Sequence, residues 1–159
     1  MREGLSVRRR RARKPRNRDR RTREYLTEQE VEVLMRAAGR TGRHGHRDRT
    51  MILIAYRHGL RVSEPVALRW EQVDLGERFL HVNRMKRGTA STHPLCGPEL
   101  PALRRLRRDD PEVPHLFVSM RRKPLTPLTV RKMIASVGQR AGPFPAHPHM
   151  PCLCLQARL

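Results

Sequence analysis

The sequence predicts an α+β fold, mainly helical, with a small antiparallel three-stranded sheet. Three observations carry that class. Capped stretches with apolar residues at helical spacing fill both ends of the central region. Between them the period shortens to two, in Phe79-Leu80-His81-Val82 and Thr92-His93-Pro94-Leu95, around a polar turn. The length of 159 residues and the 37% hydrophobic content allow one domain with a modest core.

Structure is expected to begin at Tyr25-Leu26-Thr27. Thr27 as N-cap and Glu30 three residues later form a capping box, and Val31, Leu34, Met35 and Ala38 continue at helical spacing until Gly39. The Gly-, His- and Arg-rich stretch 40–46 reads as a loop with His44 and His46 exposed. A more apolar helix spans about Asp48 to His58, with Tyr56 packing on its apolar face, and closes at Gly59. A third helix follows at once. Ser63 caps it, Glu64 suits the positive end of its dipole, and Pro65 is tolerated where first-turn N–H groups have no intrahelical partner.

The two short strands enclose Asn83-Arg84-Met85-Lys86-Arg87-Gly88-Thr89, which makes a basic hairpin, with Trp70 packing before it and Cys96 a small residue at its end. A helix from Pro98 to Arg108 carries Leu100, Leu103 and Leu106 on one stripe, with Arg104, Arg105, Arg107 and Arg108 as a solvated face. His115-Leu116-Phe117-Val118 is expected as the third strand. Thr126-Pro127 starts the last helix, whose apolar positions are Leu128, Val130, Met133, Ile134 and Val137, and Gly138 to Pro145 dissolves the pattern. There is no internal repeat.

Charge narrows the function. Thirty-five Lys and Arg against fifteen Asp and Glu give a formal net charge of +20, so a polyanion, nucleic acid above all, is the default partner. Residues 1–23 hold eleven arginines and Lys14 against Glu3 and Asp19, and this basic arm is expected to be disordered in free solution. Two readings of the arm stand side by side, a solvated tail and a DNA-binding arm. The apolar runs are far shorter than the roughly 20 residues of a bilayer span, no signal-peptide core follows the charged N-terminus, and three cysteines build no disulfide framework. A cytoplasmic, non-membrane protein is expected. Aromatic residues for base stacking are sparse, at 4%, which disfavours an RNA binder.

Four segments then stand in a telling order: Tyr25-Leu26-Thr27-Glu28-Gln29-Glu30-Val31, His58-Gly59-Leu60-Arg61-Val62-Ser63-Glu64, Asn83-Arg84-Met85-Lys86-Arg87-Gly88 and His147-Pro148-His149-Met150. Together they resemble the catalytic domain of the tyrosine recombinases, or phage integrases. The wording is nearest to the short members that control fimbrial phase inversion. The resemblance covers about residues 25–150 and implies a partial catalytic domain over 24–150, preceded by the arm 1–23. It also implies a chemistry in which a tyrosine attacks a DNA phosphate and forms a 3′-phosphotyrosine link, with no metal and no nucleotide cofactor. Double-stranded DNA and other recombinase protomers are the implied partners.

The physical demands of that chemistry fit the residue types. Charge builds on the non-bridging phosphate oxygens in the transition state, and planar, always-protonated guanidiniums are apt donors to them. By resemblance Arg61 is the first such clamp, Lys86 the general acid toward the departing 5′-oxygen, and His149 a hydrogen-bond donor to the same phosphate or an aid to proton transfer. Glu64 would orient Arg61, and Arg84 and Arg87 would sit against phosphates. Lys86 stands out as one of four lysines beside thirty-one arginines.

The pattern also departs from the family. The second arginine clamp belongs at position 152, where Cys152 stands, and the only tyrosines are Tyr25 and Tyr56, both well upstream of where the nucleophile belongs. Residues 151–159 form a tail unlike the family, as a frameshift or early end after Met150 would leave. The expectation is a fold incomplete at its C-terminus, with Met133 and Ile134 uncovered and no recombinase activity from this chain alone. The alternative function is a non-catalytic DNA-binding protein or a regulator of a full-length recombinase. His147, His149, Cys152 and Cys154 crowd together, but their spacing is not that of a zinc finger, and no metal site is assigned.

Overall fold

The computed structural model describes residues 26–83 and 89–142. Within them run α1 (Glu28–Gly39), α2 (Gly45–Arg57), α3 (Ser63–Ala67), a 3₁₀ turn (Trp70–Gln72), β1 (Val73–Asp74), β2 (Phe79–Val82), β3 (Ser91–Pro94), α4 (Glu99–Asp109) and α5 (Pro127–Ala141). The basic arm, the hairpin turn 84–88 and the stretch from residue 143 onward lie outside the described residues.

The capping box forms as its sequence requires. Thr27 N–H donates to Glu30 Oε2 at 2.7 Å, and Glu30 N–H donates to Thr27 Oγ1 at 3.3 Å. The buried stripe of α1, Val31, Leu34 and Ala38, packs with Ile52 of α2 and Val137 of α5.

α2 begins three residues earlier than its apolar pattern indicates. Gly45 is the reason: a Cβ there would lie 2.5 Å from Gly39 O, so only glycine lets the helix start against the end of α1. This early start also corrects the expectation of exposed histidines. His46 lies on α2 with Nε2 3.0 Å from Ala102 O of α4, and His44 is half-buried. Asp48 is buried too, but paired, accepting from Arg47 Nε at 2.8 Å and Nη2 at 2.7 Å, while Arg47 Nη1 donates to Val118 O.

The sheet is antiparallel in the order β1-β2-β3, with Val73 opposite Leu80 and Leu80 opposite His93. Its third strand is β1 rather than 115–118. That later segment instead docks on the chain between α3 and the 3₁₀ turn, with Leu116 N–H on Leu68 O at 3.0 Å and Trp70 N–H on Pro114 O at 2.9 Å. Leu116, Phe117 and Val118 are all buried, so the segment is covered on both faces, whereas β2 alternates exposed and buried. β1, at two residues, is too short to show a period.

α4 buries Leu103 and Leu106 and leaves its four arginines exposed, with the Arg107 guanidinium 5.0 Å from the centre of the Trp70 ring. Thr126 caps α5, accepting Thr129 N–H at 3.1 Å, with Pro127 in its first turn. The helix runs through Gly138 to Ala141, beyond its expected end. One interior glycine costs only about 1 kcal/mol against alanine, and the neighbouring Val137 is buried. Met133 and Ile134 are partly buried against the core rather than uncovered. That main core gathers Met51, Ile54, Leu60, Leu80, Leu103 and Phe117 from α2, the sheet, α4 and the docked segment.

Candidate functional site

The turn between α2 and α3 is set by a short sequence of local constraints. His58 N–H still reaches Ile54 O at 3.1 Å, and Gly59 then takes φ +59°, the left-handed region that glycine enters without strain. Leu60 N–H returns to Ala55 O at 2.9 Å, and its side chain is fully buried. With Leu60 anchored inward, the next side chain, Arg61, lies exposed at the surface.

Glu64 fixes that turn. Its carboxylate is 3% exposed and accepts Arg61 N–H on Oε2 at 2.7 Å, while Glu64 N–H donates to Arg61 O at 2.8 Å. Glu64 therefore holds Arg61 by its main chain, so the point at which the guanidinium leaves the fold is set by a buried charge-assisted bond. Ser63 does not cap α3: it lies within the helix, Val62 precedes it, and no side chain caps that end.

A second buried carboxylate lies behind the turn. Glu99, 1% exposed at the start of α4, has Oε1 2.7 Å from His58 Nε2 and accepts Cys96 N–H on Oε2 at 2.9 Å. Arg57 Nη1 approaches Oε2 at 3.6 Å and donates to Cys96 O at 3.3 Å. The His58 ring also stands edge-on to His93 of β3, with centroids 5.1 Å apart and planes at 74°. Nothing in the periodicity of the sequence marks this cluster. Glu99 reads simply as an acid at a helix start, where the dipole welcomes it.

Of the residues expected to carry the chemistry, Arg61 and Glu64 are brought together. Arg84, Lys86, Arg87 and His149 lie outside the described residues. β2 and β3 pair with Val82 opposite Ser91, and residues 83–90 connect these two strands in the sequence. Tyr56 packs beside the α1/α2/α5 cluster, and burial, followed by the charge of Glu28, pushes its phenol above the usual tyrosine pKa. Among the described residues there is no group of three or more His, Cys, Asp or Glu able to hold a metal ion, and no helix long and apolar enough to cross a membrane.

The comparisons with known proteins agree on one family. Residues 24–151 match the phage integrase family. The type 1 fimbriae regulatory protein FimB of Escherichia coli (strain K12) is 34% identical over 138 residues, which cover 83% of this chain and 68% of that protein. FimE of the same strain is 35% identical over 135 residues, covering 80% and 68%. The crystal structure of XerA recombinase superposes with a TM-score of 0.64 at 28% identity, over 79% of this chain and 46% of that one. The lambda integrase catalytic core shares the fold at a TM-score of 0.65 and 20% identity, over 80% of this chain and 78% of that core. This chain, with its Gly-Leu-Arg turn seated on a buried carboxylate, belongs to the phage integrase family of tyrosine recombinases.

Proposed function

We propose that the chain binds double-stranded DNA through its phosphates and that Arg61 is the guanidinium that clamps the phosphate at which its relatives' chemistry occurs. The observation that carries this reading is the Arg61 turn itself. An exposed arginine on a main chain pinned by a 3% exposed carboxylate offers hydrogen-bond donors to an anion from a fixed point of the fold. In the same reading Lys86 delivers a proton to the departing oxygen, His149 donates to the phosphate, Arg84 and Arg87 contact neighbouring phosphates, and no metal or cofactor takes part. The domain spans 24–150, preceded by the arm 1–23, and works in the cytoplasm.

Relatives support the class of ligand and partner. Lambda integrase has been crystallised as a dimer bound to a core site and as a tetramer bound to a Holliday junction. Second copies of this chain, or protomers of a related recombinase, are the corresponding partners. Cys152, at the position of the second clamp, favours a second reading in which these 159 residues bind DNA without cutting it, as a non-catalytic or regulatory member. By analogy with the loss of an oxyanion-hole donor, a missing clamp raises the barrier by about 3 kcal/mol.

The test is binding of a mixed-sequence duplex across a salt series, with Arg61→Ala beside the parent. Arg61→Ala should weaken binding and lower the salt slope by about one, with thermal stability unchanged because the side chain is exposed. An unaltered slope defeats the clamp assignment. A nicked suicide duplex should yield no covalent adduct with these residues alone, and a trapped adduct would overturn the non-cutting reading.

A further inference from the structure

The buried cluster around Glu99 joins parts of the chain that the proposed chemistry must keep in register. His58 sits at the end of α2, three residues before Arg61. Cys96 follows β3, Glu99 opens α4, and His93, which meets the His58 ring, lies in β3 opposite Leu80. One carboxylate thus takes hydrogen bonds from the α2 terminus and from the β3–α4 connection, with Arg57 closing the outer side.

An apolar contact at this place would hold the same elements, but it is non-directional and does not by itself single out one pairing of donors and acceptors. A buried carboxylate facing donors from separate segments is satisfied in one arrangement only. Such a device is useful where the distance between two surface groups matters more than stability itself.

We propose that the His58–Glu99 pair is a positioning unit that holds the Arg61 turn at a fixed offset from β3 and the start of α4. Both residues are positioning residues, since each is buried and acts through Arg61 rather than by touching DNA. The inference rests on the reading of Arg61 as a phosphate contact.

Two measurements on the full chain test it. Native-state hydrogen exchange without DNA compares Glu99→Gln, which keeps the shape and removes the charge, with the parent. Protection of the Arg61 and Leu95 amides should fall about tenfold while that of Leu34 and Ile52 in the α1/α2 cluster is unchanged. An equal loss everywhere would mean that the pair merely stabilises the fold, and overturns the proposal.

The second is a double-mutant cycle in binding a mixed-sequence duplex. Glu99→Gln should weaken binding about threefold in the parent and hardly at all on the Arg61→Ala background. Additive losses overturn the positioning role. If Arg61→Ala alone leaves binding unchanged, the clamp reading fails by itself, and the exchange experiment then decides the positioning unit independently. Should Glu99→Gln fail to fold by circular dichroism, His58→Asn, which shortens the reach to Glu99, carries both measurements with the same expected and overturning results.

Discussion

The two sides of α2 are held in different ways. Toward α1 and α5 the contact is apolar, with Ile52 against Leu34, Ala38 and Val137. Toward α4 and the sheet, the helix ends in a buried His58 hydrogen-bonded to a buried Glu99, beside an apolar core that includes Met51 and Leu103. Apolar burial scales with area and is non-directional, so the first side supplies stability without directed bonds to set register. The second side fixes register at the cost of desolvating a charge. The site-bearing turn leaves the helix at that second end, which argues that geometry was the requirement there.

Removing half of the polar pin should break this contrast most severely. Glu99→Ala takes the acceptor away from Cys96 N–H and His58 Nε2, and unfolding in urea should show a loss of roughly 3–5 kcal/mol. The double replacement His58→Leu with Glu99→Leu should recover much of it, because a well-packed apolar pair avoids the desolvation. A double variant no more stable than Glu99→Ala would show that the pair contributes net stability after all, and would erase the difference between the two sides.

On the apolar side, Leu34→Ala should cost about 2–5 kcal/mol through lost burial and the cavity left behind. Its duplex affinity, measured where the variant is fully folded, should match the parent's. A shift in affinity would mean that both sides set the position of the Arg61 turn.

The smallest effect concerns the start of α2. Burial, and next the neighbouring Arg47, lower the pKa of His44 from the ordinary 6.5, with Asp48 opposing. The folded state therefore binds this proton less readily than the unfolded chain. Stability from this source is present above 6.5 and falls as the pH drops below it, when the unfolded imidazole protonates first. His44→Gln should flatten the decline in urea midpoint between about pH 7 and about pH 5. A decline of equal steepness in the variant would move the origin of the acid sensitivity elsewhere.

Much of the helical frame was legible because its signals are local or periodic. The capping box at Thr27 and Glu30 and the stripe Val31, Leu34, Ala38 each announce themselves within a few residues. The start of α2 was hidden because it depends on how closely Gly45 approaches Gly39, a contact that no propensity records. The segment 115–118 reads as a sheet strand because β-branched and aromatic residues are enriched in strands, yet it pairs with the chain at 68–70 and at 124–125 and not with β2 or β3. The Gly-Leu-Arg-x-Ser-Glu run drew attention to Arg61 and Glu64 by resemblance, and the structure adds that the carboxylate grips the main chain. Glu99, His93 and the structural role of His58 were invisible, since a buried polar cluster draws its members from distant positions and leaves no pattern at any of them.

The Arg107–Trp70 contact gives the molecule a built-in optical reporter. Trp70 is the single indole in the sequence, and it lies 9% exposed in the core that backs the sheet and α4. Its fluorescence therefore originates from one side of α2 alone. Fraying of α1, whose buried residues lie in the other cluster, would leave the emission maximum in place, whereas loosening around α4 would both wet the ring and withdraw the cation from its face.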